Sequence, residues 1–124
     1  MRLITTLIAL LAFALSMVAA ERPTAVSMVA LLANPEKFDG KLVRVDGFLR
    51  IEFEGHALYF HKEDYDRQLT KNSLWLGISK SGEEYAEFNL HYVAIEGVFR
   101  AHNYGHMNSF GGAIENIQRV KGLQ

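Results

Sequence analysis

The sequence predicts an all-β domain with one N-terminal helix, closed as a small five-stranded barrel. Three observations carry that reading. Past residue 40 the apolar residues change from helical to alternating spacing, and five such runs follow one another between turn signals. Two of these runs share a pattern, VRVDGFLR at 43–50 and VAIEGVFR at 93–100, each with a glycine in mid-strand. A glycine there serves a strand that bends sharply or lies close against another backbone, which a tightly coiled barrel needs and a flat sheet does not.

The first 20 of the 124 residues are read apart from this domain. Residues 1–20, MRLITTLIALLAFALSMVAA, carry one charge at Arg2, an apolar run from Leu3 to Leu15, and small residues with Val18 and Ala20 at the positions a signal peptidase reads. The expectation is a secretory signal cleaved after Ala20, with Ala19 as the alternative. The apolar run is shorter than the roughly 20 residues that span a bilayer, so no membrane anchor is expected in the mature form. With 13 basic and 14 acidic residues overall, loss of Arg2 leaves the mature chain near minus two. That is not the basic footprint of a nucleic-acid binder. The chain has no cysteine, which excludes disulfides, thiol catalysis and thiolate metal sites. Export without disulfides fits a bacterial periplasm, or secretion, and leaves the apolar core to hold the fold.

Within the domain, residues 21–124, Thr24 is placed to cap a helix over residues 25–33 whose stripe is Val26, Val29, Ala30 and Ala33, widened by Met28, Leu31 and Leu32. Asn34-Pro35 ends it, and EKFDGK turns on Asp39-Gly40. The barrel then runs over residues 41–120. KLVRVDGFLRIEF puts Val43, Val45, Gly47, Leu49, Ile51 and Phe53 on one face. HALYF forms the second strand. HKEDYDRQLTKN suits a short surface helix, with Glu63 and Arg67 at ion-pair spacing. SLWLGIS is the third strand, and Trp75 is expected to be largely buried. KSGEEYAEFNL is a loop, HYVAIEGVFRA the fourth strand and GAIENIQRV the fifth. Phe53, Phe60, Phe88 and Phe99 are read as core.

Strand count, bend glycines and the irregular segment between strands three and four resemble the OB-fold, a five-stranded Greek-key barrel. Within that fold the opening Asn34-Pro35, then Asp39-Gly40-Lys41, Val43, Val45 and Gly47, is similar to exported bacterial domains of the tRNA-anti-like group. That resemblance implies the fold and carries no catalytic residues with it.

An OB-like barrel brings the loop between strands one and two beside the loop between strands four and five. The first supplies Glu54 and His56; the second, AHNYGHMNSFGG, supplies His102, Asn103, Tyr104, His106 and Phe110. With Tyr59 and Tyr92 these form the expected ligand-binding surface. Tyr59, Trp75, Tyr92 and Phe110 are candidates for a stacking face. His102, His106 and His56 are the ligands of an alternative site for zinc or copper, where Met107 would suit reduced copper. The four-residue histidine spacing favours a metal chiefly on a helix, and Gly105 speaks against one. Gly105, Gly111 and Gly112 match no phosphate-binding fingerprint and read as tight turns. Asp46 and Glu96 resemble a carboxylate pair, but they fall on the polar faces of their strands beside Arg44, Arg50 and Arg100. No catalytic motif appears. The expected function is a non-enzymatic exported binding module for a protein, peptide or small ligand; the alternatives are a metal-binding protein and a small hydrolase without an identifiable mechanism.

Overall fold

The computed structural model describes residues 21–124. The segment expected to be a secretory signal, residues 1–20, lies outside the described residues. Among those described, no helix is long and apolar enough to cross a membrane.

The chain opens with β1 (Thr24–Ala25), α1 (Met28–Ala33) and α2 (Pro35–Phe38). The long β2 (Leu42–Arg50) and short β3 (Ala57–Tyr59) precede α3 (Lys62–Asp66) and β4 (Ser73–Leu76). The chain ends with β5 (Tyr92–Arg100) and β6 (Ala113–Gly122). β2 pairs with β3, β3 with β4, β4 with β6, β6 with β5, and β5 again with β2. Only the β4–β6 junction of this ring is parallel. The result is a closed five-stranded mixed barrel, consistent with the OB-like class.

Inside the barrel Val43, Val45 and Leu49 of β2 meet Leu58, Leu74, Leu76, Val93, Ile95, Phe99 and Ile114. Both mid-strand glycines stand where strands crowd. A Cβ on Gly47 would lie 2.6 Å from the carbonyl oxygen of Tyr59, and one on Gly97 would lie 2.6 Å from Ile114 Cγ2. At Gly97 the β5–β6 register also shifts: Glu96 pairs with Arg119, but Val98 pairs with Glu115. The longer arm of that irregularity includes Asn116 in a left-handed conformation.

The helix starts later than the sequence suggests. Ser27, not Thr24, is the cap, accepting the Ala30 N–H at 3.1 Å, because Thr24 and Ala25 are drawn onto the edge of β2 as a parallel strand. The buried stripe is accordingly Met28 and Leu31, and Val29 faces solvent. The turn after Pro35 begins with one helical turn, for which proline is suited at the first position. β2 stops at Arg50, since the Ile51 N–H is taken by Asn89 Oδ1 at 2.8 Å. Phe53, expected in the core, is therefore carried into a loop and is 76 % exposed. Phe99 is fully buried, and Phe60 and Phe88 pack partly against the core. Glu63 and Arg67 form the expected surface pair, at 2.7 Å.

A second apolar cluster lies on the outer side of the barrel: Phe48, Ala57, Tyr59 and Phe110, with Tyr65 and Trp75 packed against it. Burial pushes the Tyr59 hydroxyl up to about 12, and nearby Glu52 adds to the effect. An unfolded tyrosine ionises near pH 10, so the protonated ring's contribution to stability is fully present below pH 10 and lost as pH rises to about 12. Melting temperature should fall across that window, and Tyr59→Phe should flatten the fall. Absorbance at alkaline pH should show one of the five tyrosines titrating late.

Candidate functional site

The two loops flanking the barrel mouth meet as expected. Residues 51–56 turn through a Gly55 N–H to Glu52 C=O hydrogen bond of 3.1 Å, with Glu54 at a positive φ of 51°. Residues 101–112 are shaped by Asn103, whose Oδ1 accepts the Gly105 N–H at 3.0 Å while its Nδ2 donates to Glu115 Oε1 at 2.9 Å. The loop closes where the Phe110 N–H reaches the Tyr104 carbonyl, and β4 anchors it through Gly111 N–H to Ser73 C=O and Trp75 N–H to Gly112 C=O. Across the gap His106 Nε2 lies 3.6 Å from Glu54 Oε2. Between the loops is a cleft of about 250 Å³, lined by Glu54, Trp75, Leu76, Ile78, Lys80 and His106, among others.

Trp75, expected to be largely buried, alternates along β4 with Leu74 and Leu76. Those leucines face the interior, so the indole faces outward. It is half-buried, with Phe110 at a ring separation of 5.3 Å and the Gly105 backbone laid against it. A Cβ on Gly105 would lie 2.6 Å from Trp75 Cγ. Phe53 and Met107, adjacent in sequence to Glu54 and His106, are 76 % and 85 % exposed. These two large apolar side chains therefore stand in solvent at the tips of the two loops, beside the cleft.

The other expected site residues divide. His56 is buried, 5 % exposed, and both ring nitrogens are occupied: Nδ1 accepts the Glu52 N–H at 3.2 Å, so Nε2 carries the proton given to the Lys80 carbonyl at 2.8 Å. It fastens the first loop to the segment after β4 and offers no nitrogen to a ligand. His56→Gln, which can restore only part of this bridge, should cost about 1–2 kcal/mol in urea unfolding, with the barrel intact by circular dichroism. Tyr59 and Phe110 are 2 % and 4 % exposed, so they support the cleft from behind instead of stacking on a ligand. Tyr92 lies elsewhere, edge-on to Phe48 at 5.3 Å, its hydroxyl accepting the Lys62 N–H. Tyr104 is partly exposed at the loop's rim, with Lys71 Nζ 5.9 Å from its ring centre.

The expected histidine trio is not assembled. His102 reaches α2, where its Nε2 lies 2.8 Å from Glu36 Oε1, whereas His106 faces Glu54. Glu36, Asp39 and His102 place one possible ligand atom each within 4.8 Å of one another, the one such group among the described residues. All three are exposed, and Asp39 Oδ1 also accepts the Ala101 N–H at 2.9 Å. The sequence carried no signal for this grouping, since Glu36 and Asp39 belong to a turn more than 60 residues away. Asp46 and Glu96 do not pair with each other: Glu96 stands opposite both Arg44 and Arg119, and Asp46 opposite Ala94. This is the cross-strand charge arrangement of a solvated sheet face.

No known family, curated protein or solved structure matches the chain.

Proposed function

We propose that the protein is an exported, periplasmic or secreted binding module, without catalytic activity, that recognises a protein, peptide or small ligand in the cleft between residues 51–56 and 101–112. The observation that carries this reading is the convergence of Glu54 and His106 over Trp75, with Phe53 and Met107 standing out on either side. An indole floor gives apolar contact, a carboxylate and an imidazole orient polar groups, and the exposed tips extend contact to a larger partner. The leader at residues 1–20 supports export. Kinship with the tRNA-anti-like exported domains belongs to the same proposal, supported by the Asp39-Gly40-Lys41, Val43, Val45, Gly47 opening, which leads into β2.

The test is recovery of partners and small ligands from the native envelope fraction on the mature protein, beside a variant carrying Phe53→Ser and Met107→Ser. The proposal expects a ligand that shifts Trp75 emission and is lost with the variant, whose melting temperature is unchanged. A ligand retained fully by the variant and by Glu54→Ala, or none at all, contradicts it.

The second reading, a site for zinc or copper, is favoured by one observation, the grouping of Glu36, Asp39 and His102; the chemistry of one imidazole and two carboxylates fits zinc better than reduced copper. Zinc should then raise the melting temperature and His102→Ala should abolish the rise. The binding-module reading expects no zinc-dependent shift.

A further inference from the structure

A hollow larger than the loop cleft lies elsewhere on the described surface. It is a groove of about 680 Å³ beside β2, lined by Val26, Met28, Phe60 and Tyr92 with Arg44 and Asp46 at its polar side, and Gly47 in its floor. Its cause is a gap in strand pairing. Along β2 successive residues direct their N–H and C=O to alternate edges. Leu49 bonds toward the β5 side, giving its N–H to the His91 carbonyl and receiving the Leu90 N–H. The even-numbered residues therefore serve the other edge. There Phe48 and Arg50 pair with β3, and the Arg44 carbonyl accepts the Val26 N–H at 3.0 Å.

Asp46 falls between these partners. β1 leaves the sheet at Ser27 to begin α1, and β3 ends at Tyr59, the Phe60 N–H turning to the Asn72 carbonyl. Among the described residues nothing bonds the Asp46 backbone on this edge. An N–H and a C=O set in strand geometry, unmet by chain, are complementary to a peptide backbone. β1 shuts the gap at one end and the Phe60–His61 turn at the other, so a continuous strand cannot run through it, but the end of a chain can enter. At the β1 end stands Arg44, a guanidinium with no ion pair among the described residues, and Arg119 and Lys121 line the adjoining hollow with it. Around Asp46 and Glu96 the cations on this face outnumber the acids by one. A side chain entering past the strand edge meets Val26, Met28 and Phe60.

We propose that this groove holds the C-terminal end of a partner polypeptide, its penultimate residue bridged to the Asp46 backbone, its last side chain apolar and its carboxylate held by Arg44. The inference is independent of the loop cleft, and the Phe53→Ser, Met107→Ser variant should leave it unchanged.

Two measurements test it. In the free protein the Asp46 amide should exchange with solvent faster than those of Val45 and Gly47; strong protection of Asp46 would mean that the edge is already covered and would overturn the proposal. The second uses acetyl-Ala-Thr-Ala-Thr-Val as the free acid, the same peptide as the C-terminal amide, and the unacetylated amide. The free acid should protect and shift the Asp46 amide, the acetylated amide should bind at least about tenfold more weakly, and Arg44→Gln should erase the difference while Arg44→Lys keeps part of it. Equal binding of acid and amide would overturn the carboxylate assignment, as would preference for the unacetylated amide, which would mark a site for a chain's amino end. Failure of all three to bind would overturn the groove's role.

Discussion

Gly97→Val should cost about 3 kcal/mol, and combined with Gly47→Val it should leave no cooperative unfolding transition. At position 97 a Cβ would meet Ile114 Cγ2 at 2.6 Å, the Glu115 carbonyl oxygen at 2.9 Å and Ile117 Cα at 3.3 Å. At position 47 it would meet the Tyr59 carbonyl oxygen at 2.6 Å and Leu58 Cγ at 2.7 Å. In each case two of the colliding groups belong to one neighbouring strand, and at least one is backbone. A rotamer change cannot relieve that contact, so the strands themselves must separate. Overpacking costs about 1–3 kcal/mol where side chains can yield, and backbone collisions belong at the top of that range or above it. Two such losses consume most of the roughly 5–15 kcal/mol that holds a domain folded. Gly122→Val provides the comparison, since its nearest neighbour is 3.9 Å away and its effect should stay within about 0.5 kcal/mol. Urea unfolding followed by circular dichroism and by Trp75 emission reads all four proteins.

Gly105→Ala should be the next most damaging, with a loss of about 2–4 kcal/mol or a displaced loop. Gly105 has φ +64° and ψ −155°, a backbone region that essentially only glycine enters, and other residues held there carry about 1–3 kcal/mol of strain. The added methyl would also lie 2.6–2.7 Å from Trp75 Cγ, Cβ and Cδ2. Either the indole leaves its place on Phe110 or the loop lifts from it. Both expose the ring, so emission should move to longer wavelength. His106 should then lose its station opposite Glu54, and the ligand binding proposed for the cleft should fall with it. Unchanged emission and stability would mean that the loop does not rest on Trp75.

The barrel was legible because its signals are local. Alternation of Val43, Val45 and Leu49, and glycines at matched places in two strands, follow from one chain's contact with its immediate neighbours. The meeting of residues 51–56 and 101–112 followed from the fold those signals define. What the sequence could not reveal depends on which way a strand is turned or where it stops. Trp75 and Leu74 alternate identically whichever faces inward, so the cleft's floor was ambiguous. Phe53 continues the apolar pattern of β2 and leaves the core only because Asn89, nearly 40 residues later, takes the Ile51 N–H. His56 carries the same composition signal as His106, yet two backbone groups hold it inside. His102 and His106, four apart, diverge because the backbone between them passes through Gly105. The gap beside Asp46 arises from two strands ending, which residue types along β2 do not record.

The claim on which the account chiefly rests is that barrel closure lays the Gly105 segment on Trp75 and so makes one cleft from two distant loops. Proton NMR of the chain from residue 21 to 124 tests it most directly. Cross-relaxation between the Trp75 indole protons and the Gly105 α-protons, with those α-protons shifted upfield by the ring, is the predicted result. A well-folded spectrum with neither the contact nor the shift would contradict it.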